Sequence, residues 1–116
     1  MSHSRVEAQR LAVYCTEATR YQGNSLFDYL IKVAQEMDLK GATAHRGICG
    51  FGHRHRLHHQ HLLDLSCNLP VIVEVIDTER CLDGFLLAVA DAVSGCTYTL
   101  ENLLWHQPEQ ESSQNG

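Results

Sequence analysis

At 116 residues, 44% hydrophobic and 20% charged, the chain is sized for one globular domain and too short for two separate cores. Its formal net charge of -5 argues against a general nucleic-acid binder, which needs an excess of lysine and arginine. Five cysteines, an odd number with no CxxC spacing, point to a reducing compartment, and no leader, lipidation signal or run of about 18 apolar residues stands out, so the expectation is cytoplasmic.

In chain order, residues 1–9 are polar and aperiodic and are expected to fray. Leu11, Val13 and Cys15 alternating with Ala12, Tyr14 and Thr16 predict a strand over 11–16. Residues 17–24 connect, with a turn at Gly23-Asn24. Ser25 and Asp28 resemble a capping box, and Leu26, Tyr29, Leu30, Val33, Ala34 and Met37 recur at helical spacing, with Gly41 as the stop. Residues 42–48 read as extended, and 62–65 as a short turn or strand. Residues 69–77, LPVIVEVID, give the clearest strand in the chain. Asp77 or Thr78 can cap a second helix, whose Leu82, Phe85, Leu86, Val89, Ala90 and Val93 repeat the register of the first, and Gly95 ends it. Residues 97–105 form the last strand, and 107–116 a polar tail expected to be disordered.

Two helices in matching registers, each between strands, define an α+β fold of ferredoxin-like βαββαβ type over residues 10–106. Both helices cover one face of an antiparallel four-stranded sheet. The strand over 69–77 puts Val71, Val73 and Val75 on one face and Ile72 and Ile76 on the other. Two helices cover only one face, so the second is expected to be apolar and buried by self-association.

The chemistry is concentrated between the two halves. GATAHRGICGFG supplies Gly41, Gly47, Gly50 and Gly52 among Arg46, Cys49 and Phe51, and HRHRLHHQH follows with His53, His55, His58, His59 and His61 beside Arg54 and Arg56. The glycines serve either a sharp strand exit or a set of backbone N–H groups facing an anion beside Arg46 or Arg54; no GxxxxGK[ST] or GxGxxG frame is present. The histidines make either an imidazole-rich loop or a site for copper, zinc or nickel from Cys49, His53, His55 and His58. No elbow or oxyanion frame accompanies Cys49, or Ser66 with Asp64, so an enzyme is not expected. Cys15, Cys67, Cys81 and Cys96 read as small core or helix-face residues, and Trp105 as a packing plug at a subunit edge.

These segments also resemble a known family. Tyr14 and Glu17, Gly41-Ala42-Thr43, Arg46-Gly47, Gly50-Phe51-Gly52, His58, Leu65-Ser66, Leu69-Pro70 and Asp77 are similar to the hallmark of the domain of unknown function 190, one of the PII-like signalling families. The resemblance runs over about residues 11–93. It implies a homotrimer with its sheets facing the threefold axis, and a regulator that senses a small ligand, an adenine nucleotide or another anion, at intersubunit clefts through the loop after the second strand. Arg46, Gly47, Gly50, Phe51, Gly52, Arg54 and His58 are the ligand-binding candidates, and a regulated partner such as a membrane transporter is implied. The lysine and arginine phosphate pattern of nucleotide-binding PII proteins is absent after the loop. The alternative is a metal-binding PII-like protein that uses the histidine segment.

Overall fold

The computed structural model describes residues 2–48 and 68–109. Strands β1 (His3–Thr16), β4 (Gly41–Arg46), β5 (Pro70–Asp77) and β6 (Thr97–Pro108) form an antiparallel sheet in the order β4-β5-β1-β6. Helices α1 (Leu26–Glu36) and α2 (Glu79–Val89) make the two crossovers, and β2 (Arg20–Tyr21) with β3 (Asn24–Ser25) forms a small hairpin before α1. This is the expected βαββαβ order. No helix among the described residues is long and apolar enough to cross a membrane.

Register decides which side chains meet. β5 lies between β1 and β4, with Val73 opposite both Val13 and Ala44. Val71, Val73 and Val75 are buried with Leu11 and Val13 of β1, Leu26, Leu30 and Ala34 of α1, and Leu82, Phe85 and Val89 of α2. Both helices therefore cover one face, and the matched apolar registers are the reason.

The second face differs from expectation. It carries Ile72, Ile76 and Tyr14, the last 43% exposed, but also a diagonal of polar side chains across all four strands, three of them charged. Arg10 of β1 donates to Glu101 of β6 through Nε (2.9 Å) and Nη2 (2.5 Å) and lies 3.9 Å from Glu74 of β5, whose other oxygen is 3.9 Å from His45 Nε2 of β4. Glu74 breaks the apolar run from Val71 to Ile76, and strand alternation directs it away from the core. The face is mixed rather than uniformly apolar.

Several boundaries also move. Residues expected to fray belong to β1, which begins at His3 and pairs with β6 from His3 opposite Pro108 to Tyr14 opposite Thr97. A long antiparallel partner supplies the order that the polar sequence lacks. Residues 107 and 108 of the expected tail lie in β6, and 110–116 are outside the described residues. The hairpin turn is Gln22-Gly23, both at positive φ (52° and 85°), as a type I′ turn requires. Ser25 is the N-cap of α1 but its side chain makes no capping bond, so the capping box does not form. Gly41 does not stop α1. The stop is Asp38, at φ 62°, where Leu39 N–H donates to Ala34 O (3.0 Å) and Asp38 N–H to Gln35 O (3.0 Å) in a Schellman pattern, while Gly41 already pairs with Ile76 in the sheet. Thr78 caps α2 as expected, accepting from the N–H of Cys81 at 3.3 Å.

Among the described residues Asp77 is the buried acid, 1% exposed. Its Oδ2 accepts from the N–H of Lys40 (2.9 Å) and its Oδ1 from that of Thr78 (2.7 Å), so one carboxylate joins the turn before β4 to the start of α2. Removing it leaves two donors without this acceptor. Asp77→Ala is expected to lower stability by about 2–3 kcal/mol in urea unfolding, with Asp77→Asn in between because its single oxygen accepts for only one of them.

Cys15 and Cys96 are half-buried beside the core, whereas Cys81 is exposed on α2. Burial, with a smaller contribution from Cys96, pushes the Cys15 thiol up to about 12, and burial also raises Cys96. The folded state thus keeps the Cys15 proton after the unfolded chain has released it. The stability Cys15 contributes is complete below pH 9 and is lost as pH rises toward about 12. Denaturant titrations against Cys15→Ala should converge over that window, and a maleimide at pH 7 should modify Cys81 well before Cys15.

Candidate functional site

The segment that carries most of the expected chemistry lies between β4 and β5 in the chain, and the described residues at its two ends are joined. Gly47 N–H donates to the Pro70 carbonyl at 2.8 Å, continuing the ladder one residue past Arg46 opposite Val71. On the other side of β5, Thr16 pairs with Pro70, and Glu17 N–H donates to the Leu69 carbonyl at 2.9 Å. Cys15, Val71 and Arg46 therefore stand in one row across three strands, with Glu17 just beyond.

That row brings Glu17 to Arg46. The Arg46 Nε lies 2.5 Å from Glu17 Oε2, with the arginine side chain 65% exposed and the glutamate side chain 19% exposed. The turn that carries Glu17 is strongly bonded. Thr16 N–H donates to Thr19 Oγ1 (3.0 Å), Ala18 N–H to Thr16 Oγ1 (3.2 Å), Thr19 N–H to Thr16 O (3.1 Å), and Leu26 N–H to Thr19 O (2.8 Å). The carboxylate is presented by a braced turn and the guanidinium by a long, exposed stem.

Of the expected ligand-binding residues, Arg46 and Gly47 are brought together at this exit. Gly50, Phe51, Gly52, Arg54 and His58 lie outside the described residues, as does the expected metal set of Cys49, His53, His55 and His58; so do residues 62–65, Asp64 and Ser66. Among the described residues no group of three or more His, Cys, Asp and Glu could hold a metal ion. Trp105 is half-buried on β6 opposite Val6, in the part of β1 that precedes its pairing with β5. A groove of about 530 Å³ at the start of that ribbon is lined by Glu7 and Glu79, carboxylates that do not suit an anion.

Sequence reasoning misses Glu17 as the counter-ion of Arg46. The signal is available: an acid one residue past β1 lies next to the end of β4 once β5 is placed between them. It also misses the diagonal of Glu101, Arg10, Glu74 and His45, although a lone glutamate in VIVEVID marks an outward position.

Comparison with solved structures identifies the architecture as a PII-like fold. The nitrogen regulatory PII-like protein CPII from Thiomonas intermedia K12, bound to ADP, AMP and bicarbonate, superimposes with a TM-score of 0.61 at 12% identity over 89% of this chain and 90% of that one. A PII-like signaling protein from Thermus thermophilus gives a TM-score of 0.58 at 13% identity over 88% and 91%. The family follows from the sequence: residues 8–104 match the DUF190 model, described as "Uncharacterized ACR", and a UPF0166 protein of Aquifex aeolicus is 33% identical over 98 residues, 84% of this chain and 92% of that protein. The chain belongs to the DUF190 family.

The glycine at the exit has a steric reason. A Cβ on Gly47 would lie 2.9 Å from Pro70 Cγ and 3.6 Å from Pro70 O, and a proline ring yields little. Gly47→Ala is expected to cost about 1–3 kcal/mol in thermal or urea unfolding, through displacement of the β4 exit from β5. Gly41→Ala, whose Cβ would meet only Ile76 O at 3.8 Å, serves as the mild control.

Proposed function

We propose that this chain is a non-enzymatic PII-like regulatory protein that senses a small anion, an adenine nucleotide or bicarbonate, with Arg46 as a cationic contact at the β4 exit. The observation that carries the reading is the placement of Arg46 and Gly47, an exposed cation and a backbone closely packed on Pro70, at the end of β4 in a PII-like fold. The fold similarity to CPII, whose structure holds ADP, AMP and bicarbonate, supports the ligand class.

In this reading the chain works as a homotrimer, with ligand sites in the clefts between subunits and Gly50, Phe51, Gly52, Arg54 and His58 contributing from the same excursion. Uncovered apolar side chains support the assembly: Tyr14, Ile72 and Ile76 on the open sheet face, and Tyr98, Leu100 and Leu104 along the edge strand β6, the last 53% exposed. Arg10 on that face is hydrogen-bonded to Glu101 and lies 3.9 Å from Glu74 within the chain, so its charge is paired before any assembly. A regulated partner, such as a membrane transporter, would read the ligand state.

Sedimentation or native mass spectrometry at micromolar concentration is expected to give three times the chain mass. Calorimetry at low salt is expected to show binding of at least one of ADP, AMP and bicarbonate, weakened several-fold or more by Arg46→Gln. A monomer that binds none of the three at millimolar concentration would refute the reading.

A further inference from the structure

We propose that Glu17 is a built-in competitor for the anion site: its carboxylate occupies Arg46 in the free chain, and an oxyanion gains Arg46 only by displacing it. The inference rests on the reading of Arg46 given above and adds how that site is regulated.

Three observations carry it. First, the pair is asymmetric. The Glu17 backbone is held by its N–H bond to Leu69 O and by the Thr16–Thr19 turn, and its side chain is only 19% exposed, while the Arg46 side chain is 65% exposed, so the guanidinium is the partner free to swing into solvent. Second, the chemistry is interchangeable. A guanidinium is a planar fork that takes carboxylate, bicarbonate or phosphate oxygens in the same geometry, and the Glu17 carboxylate has the shape and charge of the ligand it excludes. Third, the pair is weak enough to exchange, because an ion pair with one partner largely in water contributes little. Arg10 shows the contrast. It is held between Glu101 at 2.9 Å and Glu74 at 3.9 Å, two carboxylates on neighbouring strands, so displacing one leaves the other.

The consequence is a threshold. The apparent affinity of the site equals its intrinsic affinity multiplied by the fraction of chains in which Arg46 is free. That fraction belongs to the unliganded protein, so it scales every anion that uses Arg46 by a similar factor. A turn that only braces β1 against β4 would show no such common factor.

The test is calorimetric titration of wild type, Glu17→Gln, Glu17→Asp and Arg46→Gln with ADP, AMP and bicarbonate at low salt, with thermal melts alongside. Glu17→Gln is expected to tighten each anion that binds wild type by about fivefold, a factor that shrinks as salt is raised. Glu17→Asp, which draws the carboxylate back by one methylene, is expected to give a smaller gain and serves if Glu17→Gln fails to fold. Binding by Glu17→Gln where wild type shows none also supports the proposal. If Arg46→Gln weakens binding while neither Glu17 variant tightens it, the competitor is overturned and the Arg46 reading stands. Should no protein in the series bind any of the three anions, both fail together.

Discussion

A slip of β5 by one residue would turn Val71, Val73 and Val75 out of the core and Ile72, Glu74 and Ile76 into it, burying a carboxylate among the helix side chains. That penalty holds the central strand in one register, and the rest of the molecule is referred to it. β1 and β4 pair with its two edges, the helices close over its valine face, and the ends of both neighbours are set to within a residue. Asp77 at the far end secures the same strand by bonding the Lys40 and Thr78 amides.

The site is a product of that register. Thr16 and Arg46 end strands on opposite sides of β5, with α1 between them in the chain, yet both stop beside the start of β5, so the residue after one strand and the last residue of another meet as Glu17 and Arg46. Nothing local to either segment requires the pair. Gly47 is explained by the same closure, since the amide of residue 47 must reach Pro70 O while its α-carbon passes close to the proline ring.

The sheet also separates two electrostatic tasks. On the open face Arg10 lies within a diagonal of carboxylates and is internally compensated, which suits a surface to be covered. On the helix side, at the open end of the row, Arg46 has a braced carboxylate partner and its stem in water, which suits exchange. Cations of the same residue type are committed differently because one stands between two neighbours and the other at a strand end.

Much of the architecture is legible in the linear order of residues. The repeat of apolar spacing from Leu26 to Met37 in Leu82 to Val93, and the alternation in LPVIVEVID, identify both helices, the central strand and the βαββαβ plan, because period and burial are local properties of a chain. Arg46 and Gly47 are visible as unusual residues for the same reason. What sequence periodicity cannot carry is a pairing that depends on a distant partner. The order of residues 3–9 comes from β6, at the other end of the domain; Asp38 rather than Gly41 stops α1 because Gly41 is needed in the sheet; and the second face is crossed by a polar diagonal because four separate strands each contribute one side chain. Glu17 belongs to that group. Its meaning arises only when the sheet is assembled, since the distance that matters is between strands rather than along the chain.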